Sequence, residues 1–231
     1  PDEIVVVDWH LTNHNLHQNE LPSGVALIRG GEDKLLGVGI ENVFLVGFHG
    51  AVGTPPKYAH SFSYVIKDLV VNGKKSAGES TVWAYTAGSV GVPIALLTGD
   101  RFAIEEVISL GLETVCVDTK SEWGAVSPAS KHKGIELAAE QALTKNVKPL
   151  SSPSPFVVKF SFKSLKMALH FPSKYFDRRE GEYFVIEKPT AYEAYDIFHN
   201  KVGLYIRSMM LGHKLLSIFE RKCKTQEKAL T

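Results

Sequence analysis

The sequence predicts an α/β fold: a mostly parallel sheet flanked by helices, followed by a smaller C-terminal α+β segment. Three observations carry this. Short β-branched runs alternate with helical patterns through the first two-thirds of the chain. Several of those runs are apolar throughout rather than at every second residue, which marks strands covered on both faces. A stretch rich in proline and serine, VKPLSSPSP at 147–155, then separates this region from a segment with its own strands and helix. The expected division is an α/β domain over 1–146 and a smaller α+β segment over 156–231, suited to oligomerisation.

Taken in order, residues 4–7, 25–28 and 43–46 read as buried strands, each ending in glycine or a polar turn. Residues 63–71 form a strand that enters a tight turn at Asn72-Gly73. A helix over 79–89 is stopped by Gly91 and Pro93. Strand 94–98, helix 101–110 ending at Gly111, and strand 113–117 follow. A long helix over 127–145 begins with Ser127 and Pro128 in cap and first-turn positions. Beyond 155, strands are expected at 156–162 and 183–187, and a helix from Ala191 to about Lys222. Its apolar residues Val202, Tyr205, Met209, Leu216 and Phe219 read as core or subunit contact.

With 231 residues the chain can bury a full core without a metal or disulfide staple. Its 26 basic and 25 acidic side chains leave a net charge of +1, which gives no electrostatic reason for a nucleic-acid or anionic-membrane partner. Two cysteines, Cys116 and Cys223, exclude a disulfide scaffold and favour a reducing cytoplasm. No segment reaches the roughly 20 apolar residues of a membrane span, and Pro1-Asp2-Glu3 opens no secretory signal.

Nine histidines are unevenly placed. His10 follows the first strand in VVVDWH, and His49 follows the third in FLVGFHG. In a parallel sheet the carboxyl ends of the strands form the ligand-binding edge, so both imidazoles are carried toward one place. Imidazole combined with carboxylate is a common zinc donor set. Glu79 supplies a carboxylate at the start of a helix, where the helix dipole is its ordinary explanation. His60, in TPPKYAHS, lies on the loop joining two core strands beside this edge, within reach of a general-base or nucleophile role. His14 and His17 share a polar loop with His10 and read as solvated.

These residues sit in segments that resemble the zinc-dependent D-aminopeptidase family. The matching stretches are VVVDWH with Asn15, LIRG at 27–30, FLVGFHGAVGTP at 44–55, AHS at 59–61, and VNG…GE over 71–79. AYTAG, GVPIALLTGD and SPASKHKGIELAAEQAL continue the likeness to the linker, and it weakens beyond. The resemblance implies a two-zinc site that activates water to cleave short peptides beside a free, D-configured amino terminus. It also implies His10, His49 and Glu79 as metal ligands, His60 as the catalytic histidine, and a ring-like homo-oligomer, a decamer in one form. The family's opening S-x-D-x-E-G strand, which supplies two more carboxylates, has no counterpart here. Only nine residues precede His10, and Asp8 already has its own place in the matched segment. The expectation is therefore a chain lacking that N-terminal part, with fewer zinc ions as one consequence.

Two other readings compete. Asp8, His10 and His14 in DWHLTNH resemble the metal motif of nicotinamidase-type amidohydrolases, with Cys116 as nucleophile, although Glu79 and His49 are then unexplained. A non-catalytic or impaired oligomeric remnant is the second.

Overall fold

The computed structural model describes residues 3–10, 13–31, 35–56, 58–121, 124–125 and 128–210. The first strands are β1 (Ile4–Asp8), β2 (Val25–Arg29), β3 (Val43–Phe48) and β4 (Ile66–Val71). Helix α1 (Glu79–Gly88), β5 (Ile94–Gly99), α2 (Arg101–Ser109) and β6 (Val115–Asp118) follow, then a short hairpin of β7 (Lys120–Ser121) and β8 (Gly124–Ala125). Helix α3 (Pro128–Thr144) completes the first region. The second contains β9 (Phe156–Phe162), α4 (Leu165–Leu169), β10 (Arg178–Glu180), β11 (Tyr183–Lys188) and α5 (Ala191–Tyr195). The last of these continues through a π-helical stretch, Asp196–Val202, into further helix as far as residue 210.

The predicted α/β class holds, with parallel strands and covering helices. The parallel strands form a pair, β1–β2, and a triplet ordered β3-β5-β6. Strand β5 is buried along its whole length, which is why IALLTG reads as an uninterrupted apolar run. Helix α3 covers one side of this triplet, packing Ala138 and Ala142 against Ala95, Leu96 and Val115.

β4 does not join the parallel strands. It pairs antiparallel with β9, in a sheet ordered β10-β11-β9-β4. Residues from both sides of 147–155 therefore share one sheet and one core. Ile66, Leu69 and Val71 of β4 pack with Phe156, Phe160, Phe184, Ile186, Tyr195 and Phe198. The β4 strand begins three residues later than its apolar pattern suggests, because residues 61–63 form a tight reversal with Phe62 in the left-handed region at φ 60°. Short elements such as β10 and α4 carry too few residues to show a period, and the sequence gives no sign of them.

Helix α5 starts where expected, closed by a capping box between Thr190 and Glu193. Val202 is fully buried, and Tyr205 and Met209 pack against the same core, as their pattern predicts. Leu216, Phe219 and Cys223 lie outside the described residues, as does the Ser127 cap of α3.

The 147–155 stretch is not a loose tether. It crosses α1 so closely that a Cβ placed on Gly88 would stand 2.1 Å from the Leu150 carbonyl oxygen. Backbone cannot yield as a side-chain end can, so Gly88→Ala should cost about 1–3 kcal/mol. The midpoint of urea denaturation measures this.

Candidate metal centre

The loop after β3 is shaped by the residues that end β5. The Gly50 amide donates to Asp100 Oδ2 at 3.0 Å, and Asp100 Oδ1 accepts the Ala103 amide to cap α2. A Cβ on Gly50 would meet Thr54 Oγ1 at 2.5 Å and Phe102 Cβ at 2.7 Å, so the chain turns here only because residue 50 has no side chain. His49 is thus set at the carboxyl end of β3 by contacts spread over fifty residues of sequence.

A second set of bonds fixes the 60–64 loop against α1. Ser61 donates its hydroxyl to the Ala77 carbonyl at 2.7 Å and accepts the Val52 amide at 3.2 Å. The left-handed turn at Phe62 points its amide at Glu79 Oε1, 2.8 Å away. Glu79 stands at the first position of α1, whose N-cap is Gly78.

Among the described residues, one group of possible ligands converges: donor atoms of His49, His60 and Glu79 lie within 4.8 Å of one another. His60 Nε2 is 3.9 Å from Glu79 Oε1, and both side chains are 13% exposed. His60 Nδ1 donates to the Tyr58 carbonyl at 2.7 Å, and His49 Nδ1 to the Gly50 carbonyl at 3.0 Å. Each ring therefore keeps its lone pair on Nε2, the arrangement that backbone carbonyls impose on metal-binding histidines. The rings also pack together: His60 lies between His49, tilted by 34° at 4.4 Å between centroids, and Tyr64, stacked at 4.2 Å.

The electrostatics suit a cation. Burial pushes the Glu79 carboxyl above its ordinary value and the nearby Glu106 adds to this, opposed by His49, the Phe62 amide and Lys120. Burial also lowers His60, against the pull of the Tyr58 carbonyl, and the neighbouring His49, His10 and Lys163 lower it further. A largely desolvated carboxylate facing two imidazoles is a donor set that a divalent ion completes. The residues present fit zinc.

His10 is exposed and lies outside this group, though close enough for its charge to act on His60. Asp8 is occupied with folding the loop that carries it. It accepts the Asn15 amide at 2.5 Å, the Leu16 amide at 2.9 Å and the Asn15 side-chain amide at 2.9 Å. Burial alone would raise the Asp8 carboxyl, but these donors outweigh it and hold the carboxyl below its usual value. Trp9 ties the ends of the strands together. It stacks on Phe48 at 6.1 Å and meets Phe62 and Trp83 edge-on at 5.9 and 5.8 Å. His17 is exposed, as its polar loop suggests.

Cys116 stands apart from the group, half-buried on β6, with burial raising its thiol above the usual value. A thiol kept protonated is a weak nucleophile, so Cys116→Ser should leave any hydrolysis within about twofold of the parent rate. A steady-state assay checks this.

The family model for D-aminopeptidases, the M55 peptidases, matches residues 1–200. The chain belongs to this family. A D-aminopeptidase of Bacillus subtilis (strain 168) is 28% identical over 178 residues, covering 72% of this chain. The chain spans only 65% of that relative's length. Among solved structures, the Zn-dependent D-aminopeptidase DppA from Bacillus subtilis, a self-compartmentalizing protease, matches with a TM-score of 0.74 at 23% identity. That match covers 89% of this chain and 80% of DppA, and it shows that the two share a fold.

Sequence reasoning singled out all three members of the converging group. It missed Ser61 and Tyr64, Lys120 beside the β3 end, and Glu106 beneath α1. Lys120 donates to the Gly47 and Phe48 carbonyls at 2.6 and 3.1 Å. Glu106 left one trace in the sequence: a charged residue on the apolar face of the helix RFAIEEVIS, where Ala103 and Val107 are buried.

Proposed function

We propose that this M55-family protein is a zinc-dependent aminopeptidase that hydrolyses short peptides bearing a free D-amino acid at the N-terminus. One observation carries the reading: two imidazoles with carbonyl-fixed tautomers face one largely buried carboxylate, with a donor atom from each within 4.8 Å of the others. His49 and Glu79 would hold the ion, with His10 as a further ligand from the neighbouring strand end. When bound, zinc polarises the scissile carbonyl and makes water acidic enough to react near neutral pH.

His60 serves as the proton carrier. Its imidazole, kept neutral by burial and neighbouring positive charge, accepts a proton at Nε2 from the attacking water. It returns that proton to the departing amine, while Nδ1–H stays on the Tyr58 carbonyl. Packing between His49 and Tyr64 holds the ring in the orientation this requires. Preference for the D configuration and assembly into a homo-oligomer rest on likeness to the family and to the self-compartmentalizing relative.

A second reading makes His60 the third metal ligand, favoured by its Nε2 lying 3.9 Å from Glu79. The experiment that tests the proposal pairs a short peptide with its enantiomer at the first residue. Cleavage of the D form should vanish on dialysis against a chelator and return with zinc. Hydrolysis that is indifferent to chelator, or zinc-loaded protein inert toward both peptides, would overturn it.

A further inference from the structure

We propose that Glu106, on α2, is a positioning residue for Glu79; this rests on Glu79 holding the metal. The first turn of a helix leaves backbone N–H groups unpaired, and a polar side chain at the N-cap normally takes one of them. Here the N-cap is Gly78, which has no side chain to do so. Glu106 reaches across from α2 and holds this end in another way, through the amide of the N-cap residue itself and two side-chain hydroxyls. Its Oε1 accepts the Gly78 amide at 2.5 Å and the Thr81 hydroxyl, and its Oε2 accepts the Ser80 hydroxyl at 3.0 Å.

All the groups involved are buried: Ser80 and Thr81 are fully enclosed and Glu106 is 8% exposed. The residues gripped, 78, 80 and 81, surround position 79. With the strut in place, the Glu79 side chain is fixed at both ends, by its backbone through Glu106 and by its Oε1 through the Phe62 amide. Glycine at 78 belongs to the same device, because a Cβ there would stand 2.5 Å from Glu106 Oε2. A polar side chain of this length is required. Aspartate is one methylene short of the three donors, whereas glutamine can still accept the Gly78 and Thr81 protons on its oxygen and donate to Ser80.

Residues that orient a metal ligand typically change metal affinity by roughly 10- to 100-fold when removed. The test measures zinc dissociation constants of folded protein by competition with a chromophoric chelator, for the parent, Glu106→Asp, Glu106→Ala, Glu106→Gln and Glu79→Ala. Melting temperatures of the zinc-free proteins are recorded alongside. The expected result is affinity weakened by about tenfold or more in E106D and E106A, with E106Q close to the parent. A purely structural role would lower melting temperatures and leave the zinc constant of the folded fraction unchanged, which overturns the proposal. Equal weakening in E106Q and E106A would also overturn it, since charge rather than placement would then be at work. If E106A does not fold, E106D decides. Zinc affinity unaltered in E79A would instead refute the metal site on which the proposal stands.

Discussion

Replacing Glu79 by glutamine should remove zinc and peptidase activity together. Glu79 is the one carboxylate in the converging group, and its amide counterpart carries no charge to offset a divalent cation in a buried setting. Changes to residues that merely support a ligand already cost 10- to 100-fold. Loss of the ligand itself should therefore weaken zinc on the order of 100-fold or more, with kcat/KM falling in step. Zinc per chain by plasma emission, measured beside kcat/KM, checks both. The fold should survive, because Gly78, Ser80 and Thr81 keep their bonds to Glu106 in this variant.

His60→Ala should behave differently. If His60 carries protons, kcat falls by roughly 10²- to 10⁴-fold while zinc content stays near the parent value. His49→Ala, in contrast, should lose both. The comparison separates the two roles open to His60, because loss of zinc from H60A would identify it as a ligand. Tyr64 gives a milder probe, since its ring backs His60 at 4.2 Å without entering the donor group.

Much of this arrangement was legible in the sequence because the parallel strands speak through local patterns. Apolar runs gave β1, β2, β3 and β5, and the places of His10 and His49 after two of these runs gave their places at strand ends. Glu79 was legible as a helix start. What could not be read depends on contacts distant in sequence. The pairing of β4 with β9 joins residues such as Val71 and Val158, and no periodicity within either strand encodes a partner. The left-handed Phe62, whose amide holds Glu79, is a bulky residue in a conformation that usually marks glycine, so composition pointed away from it. The position of His10, exposed and beside the group rather than in it, depends on how the loop around Asp8 closes. That closure is set by Asn15 and Leu16 amides, which carry no signal of their own.

Helix α1 shows how local signals and tertiary ones divide the work. Its termini were announced by glycine and proline, yet its site-bearing end is held by Glu106 from α2 and its far end is pressed by Leu150. The carboxylate is thus delivered by packing from both sides of the chain, and a substitution at either end acts on the site through the helix.

The most direct measurement is the zinc position, by anomalous scattering from crystals of the zinc-loaded protein. The account predicts a peak about 2.0–2.2 Å from His49 Nε2 and a Glu79 carboxylate oxygen. A peak elsewhere, for instance among the loop imidazoles His14 and His17, or no peak near Glu79 at full zinc loading, would contradict it.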